Sequence, residues 1–115
     1  MENKFELVHV GINTGSPEEA DKLAQLLSRM FNLAPRHGQK SEFAGSYFEC
    51  MKAPFLGTNG HIAMQADDLE AAVEELRDMG FSFNMDTAAY TETGKLKNVY
   101  LNGEFGGFAI HILQK

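Results

Sequence analysis

The sequence predicts an α+β domain made of two small strand-helix-strand units that face each other across a shared site. Three observations carry this expectation. Apolar residues run first with the two-residue period of a strand and then with helical spacing, and this order occurs twice. Short stretches of the two halves match in letters. A histidine opens the first strand of each half, His9 in one and His61 in the other. The halves run from about 5 to 52 and from about 60 to 115, and residues 1–115 form one domain.

In the first half, FELVHVGIN (5 to 13) alternates and is rich in β-formers, so it reads as a strand. Ser16 can cap a helix, Pro17 suits its first turn, and Glu19 completes a capping box. Ala20, Leu23, Ala24, Leu27, Met30 and Phe31 form one apolar stripe, and Pro35 is the expected stop. Residues 36 to 41 are polar and turn-like, with His37 exposed. A strand from about Phe43 to Met51 follows.

After the glycine-bearing connector APFLGTNG (53 to 60), the pattern begins again. HIAMQA (61 to 66) reads as a strand. Asp67 with Glu70 marks a helix start, and Leu69, Ala72, Val73, Leu76 and Met79 form its stripe before the capping Gly80. Three strands are expected over residues 81 to 88, 97 to 101 and 107 to 113, with a turn at Thr93-Gly94. Gly106-Gly107 is a bend before the last strand. His9-Val10-Gly11-Ile12 resembles His61-Ile62-Ala63-Met64, and the stretch 43 to 51 resembles 105 to 113, which aligns Glu49 with His111.

Composition narrows the functional classes. The 115 residues are 43% hydrophobic and 23% charged, values of a globular chain and not of a disordered one. A formal charge of -6 disfavours nucleic acid and anionic membrane surfaces as partners. Cys50 is the single cysteine, so an intrachain disulfide and a cysteine-rich zinc site are both excluded; on the apolar face it reads as an inert thiol. MENKFELVHV lacks the apolar stretch of a secretory leader, and no run reaches membrane-spanning length, so a cytoplasmic location is expected.

Alternation also tells where polar strand residues point. Val8, Val10 and Ile12 share one face, with His9 opposite; Ile62 and Met64 oppose His61. Phe48 and Cys50 flank Glu49, and Ile110 and Ile112 flank His111. If the apolar members meet the helices, His9, Glu49, His61 and His111 all project from the other face of the sheet. Three imidazoles and a carboxylate suit zinc, nickel, manganese or ferrous iron. The same four residues also suit a metal-free binding cup in which Glu49 pairs with a histidine. Tyr47 and Met51 share the Glu49 face and either line a pocket or serve sheet packing.

The layout resembles the vicinal oxygen chelate superfamily, which includes glyoxalase I, bleomycin-resistance proteins and extradiol dioxygenases. The resemblance spans His9 to Lys115 and implies paired βαβββ modules forming a cup. It implies divalent-metal ligands at His9, Glu49 and His61, with Glu49 also able to move a proton. At His111 the chain departs from the family, where a glutamate is usual. The resemblance further implies isomerase, lyase or dioxygenase chemistry on a small oxygenated metabolite, and a homodimer. MKAPFLGTNGHIAM (51 to 64) and GEFGGFAIHILQK (103 to 115) resemble the extra C-terminal domain of some bacterial 2-dehydro-3-deoxyphosphogluconate/4-hydroxy-2-oxoglutarate aldolases. That likeness implies an alternative: a non-catalytic small-molecule-binding or regulatory module associated with a sugar-acid aldolase.

Overall fold

The structure, a computed structural model, describes residues 3–115. The first half contains strand β1 (Phe5–Asn13), helix α1 (Pro17–Phe31) and strands β2 (Pro35–His37), β3 (Ser41–Ala44) and β4 (Phe48–Met51). The second repeats the order with β5 (Gly60–Ala66), α2 (Leu69–Asp78), β6 (Phe83–Tyr90), β7 (Leu96–Leu101) and β8 (Phe108–Gln114). Both halves are therefore βαβββ modules. Their strands join in one curled, unclosed sheet of eight, ordered β2-β3-β4-β1-β5-β8-β7-β6.

Local chemistry starts and stops the helices. Ser16 caps α1 by accepting a hydrogen bond from the Glu19 amide at 3.1 Å. The Glu19 carboxylate reaches back one residue further than a standard capping box, to the Gly15 amide at 2.7 Å. Asn32, at φ 54°, ends α1, so Pro35 is not the stop but the opening of edge strand β2. A proline tolerates that edge position because no inner ladder needs its missing N–H. On α2 the cap is Asp68 and not Asp67: its side chain accepts from the Ala71 amide. Gly80, at φ 101°, closes α2 with two bonds, Gly80 N–H to Arg77 O and Phe81 N–H to Leu76 O. That pair forms a Schellman motif, which needs the left-handed backbone that glycine accepts freely.

Three expectations require correction. The polar segment after Pro35 is a strand, because Arg36 and His37 pair with Phe43 and Glu42. The single strand expected over 43 to 51 is a hairpin of β3 and β4, folded at Gly45–Tyr47 so that Phe43 lies opposite Glu49. Met30, Phe31 and Met79 are exposed instead of completing the helical stripes. Each lies at or beyond the last turn of its helix, where the chain has already left the sheet.

A core lies beneath each helix. Ala20 and Ala24 pack on Ala44 and Cys50 in the first module. Leu69, Ala72 and Val73 pack with Val99, Leu101 and Ile112 in the second. The register between Leu7 and His9 is irregular, with Val8 as the extra residue. This bulge lets Phe5 pack against the second core while His9 points to the opposite face.

Candidate metal centre on the concave face

Four strands place the centre. β1 and β4 run parallel with Gly11 beside Glu49, and β5 and β8 run parallel with Ala63 beside His111. The two modules thus repeat a register as well as a fold, since Gly11 and Ala63 each stand two residues after the opening histidine. β1 and β5 pair antiparallel across the module boundary, setting His9 opposite Ala63 and His61 opposite Gly11. Directly opposed residues share a face. Each histidine therefore faces a residue with almost no side chain, and this leaves room for both rings.

The sheet brings all four expected residues together. Glu49 Oε1 lies 3.1 Å from His9 Nε2 and 3.0 Å from His61 Nε2, and the two Nε2 atoms are 3.2 Å apart. With Glu49 ionised, no placement of the imidazole protons satisfies this triangle. If both nitrogens donate to Glu49, they oppose each other; if one donates to the other, a bare lone pair is left facing the carboxylate. A cation removes the conflict. With bonds of about 2.0–2.1 Å, neighbouring ligands stand about 2.9 Å apart in an octahedron and about 3.4 Å apart in a tetrahedron, and the observed edges fall between these.

His111 completes the set. Donor atoms of His9, His61 and His111 all lie within 4.8 Å of one another. His111 Nδ1 bonds to Asn98 Oδ1 at 2.7 Å, which makes Nδ1 the protonated nitrogen and leaves Nε2 with a lone pair. That Nε2 is buried and has no partner among the described residues. Burial, reinforced by the nearby His61 and His9, pushes the His111 pKa down to about 4, so the ring is neutral and ready to donate near pH 7. These donors fit a divalent ion.

Glu49 is an anion here. Burial alone would raise its pKa, but hydrogen bonds from His61, His9 and the Ser41 hydroxyl together hold it well below the usual carboxylate range. The Ser41 bond, 2.8 Å to Oε2, leaves Oε1 to face the histidines. Tyr100 stacks on His111 with ring centres 4.5 Å apart, and Phe55 from the connector meets Tyr100 edge-on at 5.9 Å.

Sequence reasoning missed Ser41, Asn98, Tyr100 and the spacing role of Gly11. The alternation Asn98–Tyr100 on a strand next to His111 was the available signal for two of them. Met51, paired with Ser41, belongs to this face as expected, while Tyr47 is an exposed turn residue whose carbonyl accepts from the Val10 amide. His37 is exposed, as expected, but its Nδ1 also bonds the buried Glu42 carboxylate on the opposite, helix-bearing face at 2.8 Å.

No known protein family and no curated protein matches the chain. Solved structures do. The hypothetical protein BH1468 from Bacillus halodurans C-125 shares 17% identity at a TM-score of 0.62, covering 100% of this chain and 96% of that one. Methylmalonyl-CoA epimerase from Mycobacterium tuberculosis shares 18% identity at 0.61, covering 94% and 86%. A Streptomyces coelicolor methylmalonyl-CoA epimerase shares 14% at 0.59, covering 96% and 94%. The likeness is one of fold alone: two βαβββ modules sharing one curled, unclosed sheet, as expected. No helix is long and apolar enough to cross a membrane among the described residues.

Proposed function

We propose that this chain is a divalent-metal enzyme with isomerase-type chemistry, moving a proton on carbon next to a carbonyl in a small oxygenated metabolite. The observation that carries it is the Glu49–His9–His61 triangle, whose three contacts no arrangement of imidazole protons satisfies around an ionised Glu49. Its fold neighbours include methylmalonyl-CoA epimerases, which supports the reaction class and leaves the substrate open.

His9, Glu49, His61 and His111 would hold the ion. When bound, it supplies Lewis-acid stabilisation of negative charge on substrate oxygen. The chain's own residues do the rest. Asn98 fixes the His111 tautomer so that Nε2 faces the centre. Ser41 anchors Oε2 of Glu49 and turns Oε1 to the centre, where Glu49 would serve as a ligand or, released from the ion, as the proton acceptor. With both Nε2 atoms serving as ligands, neither imidazole would donate to Glu49, so a Glu49 released from the ion would be more basic than in the unloaded centre. Because a histidine stands where related folds carry a second glutamate, Glu49 is the only carboxylate in this centre among the described residues and is the residue to move the proton. Buried Tyr100, stacked on His111 and met edge-on by Phe55, covers one flank.

Two further parts belong to this reading. Exposed Phe81 and Phe105, beside an apolar cavity of about 370 Å³ on the helix-bearing side, favour pairing of two copies. The likeness of residues 51 to 64 and 103 to 115 to an aldolase-linked domain favours, as a second reading, a binding module working with a sugar-acid aldolase. Deuterium exchange into 2-oxo acids, thiol adducts of dicarbonyls and acyl thioesters, followed by NMR with metal-loaded protein, tests the enzyme reading. Exchange that is lost in Glu49→Gln supports it; no exchange in any class favours the binding module.

A further inference from the structure

The cup extends beyond its metal ligands. Across the first module, the register places Arg36 opposite Phe43, Phe43 opposite Glu49, and Glu49 beside Gly11. Opposed residues share a face, so Arg36 stands on the same concave surface as Glu49, two strands away. With strands about 4.8 Å apart, the two backbones are separated by about 10 Å.

Arg36 is not idle at that place. Its guanidinium carbon lies 3.9 Å from the centre of the Phe43 ring, a cation–π position that restrains the head group of an exposed side chain. The ion pairs of the described residues do not include Arg36, whereas Arg77 pairs with Glu74. On the reverse face of the same hairpin, His37 bonds Glu42 and ties β2 to β3, while Lys52, just after β4, bonds the Gly38 carbonyl in the β2–β3 turn; both hold the arginine's strand in place. A planar cation, prepositioned on an aromatic ring and without a carboxylate partner, presents the geometry that recognises an oxyanion through two parallel hydrogen bonds.

We infer that Arg36 and Phe43 form an anion-binding subsite of this cup, and that the metabolite carries a carboxylate or phosphate group at the end remote from the histidines. The inference rests on the proposed metal centre for what it says of the other end of the molecule. The subsite itself needs no metal. The chain of spacing is short: a compact ligand of about the length of a five-carbon dicarboxylate bridges from the centre to the reach of the arginine.

The test has two arms. In chelator-treated protein, the Arg36 Nε–H resonance is followed by NMR during titration with acetate and with inorganic phosphate, and exposed Arg29 serves as the internal control. The expected result is a saturable shift at Arg36, with apparent affinity at least about tenfold above that at Arg29, and weakened in Phe43→Leu. Arg36 tracking Arg29 for both anions overturns the inference, whatever the metal content. In metal-loaded protein, 2-oxoglutarate is compared with 2-oxopentanoate, and 3-phosphonooxypyruvate with hydroxypyruvate. The anionic member of one pair should bind about tenfold tighter, and Arg36→Gln should reduce that preference below about twofold. The pair that shows the preference tells carboxylate from phosphate. An unchanged preference in Arg36→Gln overturns the inference and leaves the metal centre standing, while failure of the metal centre reads separately as protein that retains no ion.

Discussion

The imidazole of His61 lies across Gly11. A Cβ built on Gly11 would meet His61 Cε1 at 2.0 Å and Nδ1 at 2.3 Å, so the ring occupies the volume that any side chain there would fill. His61 Nδ1 has no hydrogen-bond partner among the described residues. Unlike His111, then, this ring is oriented by packing against bare backbone and not by an outer hydrogen bond.

Gly11→Ala should therefore act at a distance from its own chemistry. Gly11 does not have the positive φ that disfavours alanine, so the strand should persist and the ring should move. Metal affinity, measured by competition with a chromogenic chelator, should fall by more than about tenfold. Far-ultraviolet circular dichroism should change little. Retained affinity would mean that His61 is not held against Gly11.

Asn98 should behave as an orienting residue. Asn98→Ala removes the acceptor on His111 Nδ1 and frees the ring to change tautomer and rotate. Metal affinity should fall by about 10–100-fold with the ligand set intact, as outer-shell losses usually cost. Asn98→Asp, which keeps an acceptor, should restore most of it. Equal behaviour of the two variants would contradict the orienting role.

Acid should destabilise the metal-free protein in a defined window. His111 titrates near 4 when folded against 6.5 ordinarily, so the unfolded chain binds the proton more readily. Stability is then full above pH 6.5 and declines as the pH falls toward 4, by at most about 3 kcal/mol. Glu49, depressed in the folded state, adds a loss that begins as the pH falls below about 4.5, the ordinary value of a glutamate. Urea titrations across this range should show the decline, and His111→Phe should remove its upper part. A flat profile from pH 7 to pH 4 in the parent protein would contradict the burial of a neutral His111.

Cys50 should be inert while the protein is folded. Burial, with Glu42 and Glu49 nearby, pushes its thiol up to about 11, and its side chain has no exposed surface. A disulfide reagent at about pH 8 should label it only after denaturant is added. Rapid labelling of the native protein would indicate that the first module opens readily.

Much of this was legible in the sequence. Alternation about His9, Glu49, His61 and His111 predicts their common face, because apolar neighbours at i±1 are drawn beneath the helices. The curl that brings them together needs only the two-module pairing. Less legible were features set by tertiary register. The split of residues 43 to 51 into β3 and β4 depends on the Gly45–Tyr47 turn, which alternation alone hides. The strand character of Arg36 depends on pairing with Phe43, since two polar residues between a proline and a glycine carry no strand signal of their own. Asn98 and Ser41 became visible as partners only when β7 lay beside β8 and β3 beside β4. The exposure of Met30 and Phe31 reflects where the sheet ends beneath α1, a length that helical periodicity does not encode.

The most direct measurement is metal content by mass spectrometry on untagged protein, before and after supplementation with zinc, nickel, manganese and ferrous iron, beside a Glu49→Ala/His61→Ala double variant. Close to one ion per chain is expected in the parent and essentially none in the variant, with both folded. A parent protein that takes up no ion from any of the four, or a variant that retains it, would contradict the metal centre.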